Sequence, residues 1–586
     1  MDLSVKWLNV SYDFHSYERH PMTFKEKPLD IISMIEHKAS IKITRNELTQ
    51  IQNNSNIAIS ANSFATLKKV SEWKCSVCVA AGEVISKLLK VSSLDSAAVD
   101  FIKETCITLK IQSERVCDMV VEEWRDPFVY LVSNGIMDPS DACSEIFTND
   151  CGGSYETAAT WNISLNATRP PYKIPRNVSK NSPKLRVLHF SDLHLDDLYQ
   201  AGRNADCGEP LCCRESDAEA TGSHEAGWFA DNRNCDISGS SLKFVMNELS
   251  KEKFDIILFT GDIPPHDVYN QTTYDQLHYI DYAYKVFRES FPSTPLLPVV
   301  GNHESAPVNL FPPPFSDESH SSHPMAWLYD NLATHWSHWL PQEVMSTVKK
   351  GGYWAWSIFK GLRIIAINTS YGDVNNWYLF YKTHAPADQM QWLADQLNEA
   401  ELAGEKVWII GHIYKEFFPG YWTWYSKIIK RYSGTIANLF FGHTHYDEFQ
   451  VFLDRSLNNT PVMVNFICPS ITQMDKLNIG YRVYEVDGIH AKSTFAVLDH
   501  RTYIINVTDA NLRHKPHIEK EYTAKEYYKM KGFFPSDWKA VADKILKNET
   551  AAIDYQFFKY KSARQPMLEC DASCRKDIYD SLIMEI

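Results

Sequence analysis

Two carboxylates, one amide and four imidazoles recur in five short motifs across the middle of this sequence. The motifs are Asp192-Leu193-His194, Gly261-Asp262, Gly301-Asn302-His303-Glu304, Gly411-His412 and Gly442-His443-Thr444-His445. Donors of these types suit two divalent cations held side by side; the nitrogen-rich set favours zinc, with manganese or iron next and calcium last. Two dications bring four positive charges, and Asp192, Asp262 and one hydroxide cancel three of them. The remaining charge of about +1 matches an anionic phosphate. Asp262 is the natural bridge, because a single carboxylate can give one oxygen to each ion. A leaving alkoxide also needs a proton, and two further histidines stand close by. His303 follows Asn302 directly, and His266 lies four residues after Asp262 in Asp262-Ile263-Pro264-Pro265-His266-Asp267. His266 reads as a donor to a phosphate oxygen, a shared acid, or a residue that orients its neighbours.

Residues so far apart in sequence converge only if the elements before them deliver them to one place. Four motifs follow apolar, strand-like runs: Leu185–Phe190, Phe254–Thr260, Val407–Ile410 and Leu439–Phe441. Leu296–Val300 leads into the remaining one, interrupted by Pro298. Ligands at the ends of neighbouring strands share one edge of a sheet. Alternating strand and helix signals over 184–500 predict a layered α/β domain. Residues 501–586 read as a helical C-terminal domain, closed by a local clip between Cys570 and Cys574. Residues 1–69 are polar, with a helix expected around Leu29–Glu36. Residues 70–152 hold amphipathic helices among Cys75, Cys78, Cys106, Cys117, Cys143 and Cys151. Residues 153–183, with Arg169-Pro170-Pro171-Tyr172-Lys173-Ile174-Pro175, read as an exposed, semi-rigid linker.

Composition narrows the function classes. A formal charge of −14 argues against nucleic acid as partner. No apolar run reaches the length of a membrane span, so none is expected. Of the 21 histidines, those other than the four candidate ligands could charge at low pH, which would offset the acidic excess and with it repulsion from anionic membranes. Thirteen cysteines in clusters indicate disulfides formed in an oxidising compartment. The odd thiol is Cys468, inside an apolar run and expected to be buried and inert. Glycosylation sequons start at Asn9, Asn53, Asn162, Asn166, Asn177, Asn270, Asn368, Asn458, Asn506 and Asn548. Asn368 follows a strand-like run and is expected to be inaccessible. Met1 to Trp7 carry no apolar stretch of the kind a leader has. Tyr421-Trp422-Thr423-Trp424-Tyr425 could meet a cation through ring faces, but core packing is the expected role.

Three resemblances follow from these residues. The six-cysteine pattern over 70–152 resembles the saposin fold, a helical lipid-interacting unit. That resemblance implies the pairs Cys75–Cys151, Cys78–Cys143 and Cys106–Cys117. The five motifs in order resemble the calcineurin-like metallophosphoesterase superfamily, whose fold is a β-sandwich flanked by helices. It implies that one metal takes Asp192, His194, Asp262 and His445, and the other Asp262, Asn302, His412 and His443, with His303 as general acid. The two units in one chain resemble the acid sphingomyelinase family, as do the stretches Gly301–Phe315, Gly442–Phe449 and Gly480–Gly488. That resemblance implies the pairs Cys207–Cys212 and Cys213–Cys235. It also implies sphingomyelin as substrate, ceramide and phosphocholine as products, and a membrane surface as partner through the saposin-like unit. The family usually reads Gly-His-Ile-Pro-Pro-Gly at the fourth motif; this chain has Gly411-His412-Ile413-Tyr414-Lys415-Glu416, so headgroup preference is open there. Two other readings remain: a soluble nucleotide or other phosphodiesterase of the same superfamily, and a lipid-binding protein with an inert phosphoesterase shell.

Overall fold

The computed structural model describes residue 82 and residues 95–108, 111–133, 161–166, 170, 178–179, 181–314, 325–380 and 385–586. The N-terminal segment 1–69, with the helix expected near Leu29–Glu36, lies outside the described residues, as do Cys75, Cys78, Cys143 and Cys151.

Two mixed sheets face each other. The first has the order β14-β13-β12-β1-β4-β5, from Glu519–Thr523, Val497–Ile505, Ile479–Asp487, Lys184–Phe190, Ile256–Phe259 and Leu296–Pro298. The second runs β15-β10-β11-β9-β8-β7-β6, from Ile583–Glu585, Glu448–Asp454, Thr460–Ile467, Ile436–Phe441, Lys406–Ile410, Leu362–Ala366 and Trp354–Phe359. A two-residue parallel pair, β2 (Leu195–Asp196) with β3 (Ile237–Ser238), lies outside both. Within the first sheet β1, β4 and β5 are parallel; within the second, β7, β8, β9 and β11 are. Parallel strands covered on both faces need unbroken apolar sequence. Ile256-Ile257-Leu258-Phe259 supplies it and is wholly buried. Pro298 is tolerated because β5 is an edge strand. Aromatic side chains close the space between the sheets. Phe440 of β9 meets Tyr484 of β12 at 5.1 Å and His189 of β1 at 5.8 Å between ring centroids, and Phe466 of β11 meets Tyr484 at 5.6 Å.

The expected layered body of strands and helices is therefore present as mixed sheets with helices, and its limits differ from the sequence reading. The boundary at 500/501 falls inside β13. The C-terminal segment is not purely helical. It contributes helices Val507–Arg513, Pro535–Lys547, Glu549–Lys559 and Ala572–Leu582, but β14 completes the first sheet and β15 the second. β14 is a polar edge strand, Glu-Lys-Glu-Tyr-Thr, and β15 has three residues, so neither carries an alternating apolar signal. The 153–183 stretch is not wholly exposed either. Ile163 is buried, Ser164 N–H donates to Gln391 Oε1 at 2.8 Å, Arg431 Nε donates to the Asn166 carbonyl at 2.7 Å, and Trp161 stacks on Trp424.

Of the N-terminal helical unit, three helices are described: α1 (Asp95–Thr108), α2 (Glu114–Glu123) and α3 (Arg125–Ser133). Ser113 caps α2 by accepting from Val116 N–H. Cys106–Cys117 ties α1 to α2. Cys207–Cys212, Cys213–Cys235 and Cys570–Cys574 are also closed, and Cys468 is free and buried. Asn368 is fully buried, whereas Asn162, Asn166, Asn270, Asn458 and Asn548 are exposed. Tyr421 and Tyr425 are buried core residues of helix Pro419–Arg431, as expected of that aromatic stretch. Among the described residues no helix is long and apolar enough to cross a membrane.

Candidate metal centre

Five parallel strands deliver the five motifs. The chain leaves β1, β4 and β5 of one sheet and β8 and β9 of the other at their carboxyl ends, and each exit carries one motif. The turns are unusual. Asp192 (φ 52°), His194 (φ 47°), Asp262 (φ 63°), His443 (φ 77°) and His445 (φ 65°) all occupy the left-handed region. Non-glycine residues there cost of order 1–3 kcal/mol each and persist only where the surroundings hold them. Backbone bonds do the holding. Asp192 N–H donates to Gly261 O at 2.9 Å, Leu193 N–H to Asp262 O at 2.7 Å, and Gly442 N–H to His412 O at 3.1 Å. Glycine is required where loops touch. A Cβ at Gly261 would lie 2.6 Å from Gly301 N, and one at Gly442 2.1 Å from Ser191 Oγ.

All seven expected ligands come together. Donor atoms of Asp192, His194 and His445 lie within 4.8 Å of one another, as do those of Asp262, His412 and His443. His194 Nε2 is 3.0 Å from His445 Nε2 and 3.6 Å from Asp262 Oδ2. His412 Nε2 is 3.0 Å from Asp262 Oδ2 and 2.9 Å from Asn302 Oδ1, and His443 Nδ1 is 3.1 Å from the same Asn302 oxygen. Asp262 thus stands between the two groups.

The other ring nitrogens decide what these contacts mean. His194 Nδ1 lies 3.0 Å from the Pro264 carbonyl and His412 Nδ1 2.6 Å from the Thr260 carbonyl. A carbonyl only accepts, so both Nδ1 atoms carry the hydrogen, and in the neutral ring each Nε2 presents a lone pair. The His412 lone pair then faces two oxygens, and Asn302 Oδ1 is an acceptor as well, because its Nδ2 is spent donating to Asn309 Oδ1 at 2.7 Å. Acceptors aimed at acceptors in a buried site require a cation among them. The set fits divalent metal.

Electrostatics agree. Burial pushes Asp192 up to about 7 and His443 down to about 3, and holds His194 and His445 well below the usual histidine range. The neutral imidazole is the form that can give a lone pair to a metal. Against burial, the Asp262 carboxylate raises His412 to about 9, and the His412 and neighbouring imidazoles hold Asp262 well below the usual carboxylate range. Where no metal is bound, a proton on His412 takes part of its place.

His303 and His266 both reach the centre. His266 lies over His194 with ring centroids 3.8 Å apart, and His303 meets His194 at 4.6 Å and His266 at 4.9 Å. Their supports differ. His266 Nδ1 is 2.9 Å from Asp236 Oδ1, and its N–H donates to Asp236 Oδ2 at 2.7 Å. Thr472 Oγ1 donates to the same carboxylate at 3.0 Å. Burial opposes a charge on His266, yet Asp236 raises it. His303 is fixed through its backbone, N–H to Asp262 Oδ1 at 2.9 Å and carbonyl from Gln276 Nε2 at 2.7 Å. Its Nδ1 is buried without a partner among the described residues, and burial lowers the ring to about 4.

Sequence reasoning missed the supports. Asp236 lies 30 residues before His266 and carries no motif. Asn309 aims the Asn302 oxygen. Glu304, read only as part of its motif, clamps two loops by accepting from Ile263 N–H at 3.1 Å and Gly301 N–H at 3.0 Å. The departing fourth-motif loop is bound into the body. Tyr414 Oη donates to Glu448 Oε2 at 2.9 Å, Thr444 Oγ1 to the same oxygen at 2.7 Å, and Lys559 pairs with Glu448 Oε1 at 2.9 Å. One buried carboxylate so links the loops of His412 and of His443 and His445.

The helical unit packs beside this centre. Trp124 and Leu131 form one apolar cluster with Val268, Val308, Leu310, Trp377, Tyr378 and Phe418. Val268, Val308 and Phe418 extend the loops that carry His266, Asn302 and His412 respectively.

Residues 185–447 match the calcineurin-like phosphoesterase family. Sphingomyelin phosphodiesterase from Homo sapiens is 37% identical over 521 residues, covering 87% of this chain and 81% of its own. That from Bos taurus is 38% identical over 475 residues, covering 80% and 75%. Cyclic GMP-AMP phosphodiesterase SMPDL3A from Mus musculus is 28% identical over 426 residues, covering 69% and 91%.

Proposed function

The chain belongs to the sphingomyelin phosphodiesterase family, and on that footing we propose that it hydrolyses sphingomyelin to ceramide and phosphocholine at the seven-ligand centre. The observation that carries this reading is the convergence of Asp262 Oδ2, Asn302 Oδ1 and the His412 Nε2 lone pair, a buried set of acceptors that calls for a cation. Two divalent cations, with zinc the best match to the nitrogen-rich donors, supply Lewis acidity that draws charge from the phosphate and acidifies water. Asp192, His194, Asp262 and His445 would hold one, and Asp262, Asn302, His412 and His443 the other.

The chain's own residues manage the protons. Attack by water on phosphorus breaks the bond to the ceramide oxygen; that alkoxide takes a proton from His303, one water proton stays on the new phosphate hydroxyl, and the other, released to solvent, restores the charge on His303. An entering phosphodiester anion favours the charged form of His303, so substrate binding brings the proton with it. His266, held at Nδ1 by Asp236, donates from Nε2 to a phosphate oxygen and steadies the charge that builds there. The helical unit would present lipid to the centre, a role its apolar contact with three site loops supports. The four disulfides among the described residues and the five exposed sequons support a lysosomal or secreted glycoprotein.

The test uses the full chain on sphingomyelin vesicles and on a soluble phosphodiester. Choline-headgroup release from vesicles, abolished by chelation and restored by zinc, is the expected result. Faster turnover of the soluble ester would favour the nucleotide reading, for which the murine relative is the precedent. Vesicle binding without turnover of either substrate would favour the non-catalytic one.

A further inference from the structure

Lys561 is a fully buried lysine that nothing in the proposed reaction uses. It lies just past helix Glu549–Lys559 in the left-handed region, φ 54°. Its ammonium donates to Ser470 O at 3.0 Å, Ser470 Oγ at 2.6 Å and Thr472 O at 3.1 Å, and has no ion-pair partner among the described residues. Three donor hydrogens meet three acceptors, so the group is satisfied by hydrogen bonds without a carboxylate in direct contact. Burial lowers it to about 7, opposed by the Asp192 and Glu521 carboxylates. Its own carbonyl accepts from Asn478 Nδ2 at 2.9 Å, which fixes the turn from below.

The gripped loop reaches the metal ligands directly. Ser470 N–H donates to His445 O at 3.2 Å, Ile471 N–H to Ser191 O at 2.9 Å, and Thr472 N–H to Asp192 O at 2.9 Å. Thr472 Oγ1 also donates to the Asp236 carboxylate that braces His266. These bonds end on the Asp192–His194–His445 group. The Asp262–His412–His443 group touches it where His443 N–H donates to Asp192 Oδ1 at 2.9 Å, and is otherwise held by other partners, the Thr260 carbonyl and Glu304 among them.

We propose that Lys561 is a positioning residue for one half of the centre: by fixing loop 470–472 it sets Asp192 and His445 in the geometry that binds one of the two cations. The C-terminal segment is then part of the active site. The proposal rests on the metal reading above, and the experiment separates the two.

Purified full-length wild type, Lys561→Met and Ser470→Ala would be equilibrated with graded free zinc and assayed for bound metal per chain, thermal stability and turnover. Met matches the lysine stem, and each carbonyl keeps one donor: Gly480 N–H remains on Ser470 O and Ser470 Oγ on Thr472 O. Lys561→Met should therefore fold. The expected result is two ions in the wild type and, in Lys561→Met, one ion held at wild-type affinity with the other weakened about 10- to 100-fold. Ser470→Ala, which removes one acceptor of Lys561 and the Oγ donor to Thr472 O, leaves the lysine its two carbonyls and should weaken the same ion less, and it decides the matter if Lys561→Met fails to fold. A merely structural lysine would lower the melting temperature and leave both affinities alike. Two ions bound at wild-type affinity in Ser470→Ala and in any folded Lys561→Met would overturn the role given to Lys561. No metal in the wild type would overturn the metal reading itself.

Discussion

The loops of the candidate metal centre and the helical unit beside them are held by different means. The loops are locked by directional bonds: five candidate ligands in the left-handed region, Glu304 across two loops, Glu448 across two more, and Lys561 on loop 470–472, which bonds to Asp192 and His445. The helical unit rests on an apolar cluster centred on Trp124 and Trp377, whose rings lie 4.7 Å apart, with polar contacts beside it from Ser113 and Arg115 to Glu209 and from Glu123 to Gln271. One of these is Glu123, half-buried, whose Oε2 accepts from Gln271 N–H at 2.9 Å while its Oε1 is buried without a partner among the described residues. Directional bonds fix a geometry because each one sets a distance and an angle. An apolar contact with one uncompensated carboxyl can come apart when that carboxyl ionises. Chemistry needs the first kind of construction and a docked module tolerates the second.

The strongest way to break this contrast is to remove a shared ligand contact. His412→Ala takes away the ring that meets both Asn302 and Asp262. Turnover should fall by well over about a hundredfold, beyond what outer partners of a metal cost, with helical docking, read by protease protection of residues 111–133, unchanged. Loss of docking in that variant would show the two regions to be one unit.

Asp236→Asn comes next. It keeps the shape but weakens the hold on His266 Nδ1, and turnover should drop about 10- to 100-fold. Combined with His266→Ala it should add little further, as for residues that act as a pair. Full additivity in the double-mutant cycle would show that Asp236 acts elsewhere.

Trp124→Ala attacks the other region. Emptying this position should cost docking up to about 3–5 kcal/mol. Vesicle hydrolysis should fall while turnover of a soluble phosphodiester stays within about twofold. An equal fall on both substrates would place the helical unit in the chemistry itself.

The smallest effect concerns pH. Burial pushes Glu123 up from 4.5 to about 8, with Asp267 and Asp275 adding to it. The docked form therefore binds its proton more tightly than the undocked form. Docking is at full strength below about 4.5 and weakens as pH rises towards about 8, by at most about tenfold per pH unit. Protease susceptibility of the 111–133 segment should rise over that window, and Glu123→Gln should flatten the rise. An unchanged slope in the variant would assign the effect to another group.

The sequence by itself determined the donor types and their order, because each of the five motifs is a local string that follows its own strand. It determined the clustering of the cysteines for the same reason, and the pairings Cys106–Cys117, Cys207–Cys212, Cys213–Cys235 and Cys570–Cys574 join near neighbours. Tertiary structure alone decided which residues brace the donors. Asp236, Glu448 and Lys561 act across 30, 34 and 91 residues on His266, Tyr414 and Ser470, through single bonds that leave no periodic trace. It also decided that the tail after residue 500 completes both sheets, since short polar edge strands have no pattern until a partner edge is there to pair with. Ligand identity is a property of short segments. Orientation, burial and charge balance are properties of contacts, and contacts exist only once the chain has folded.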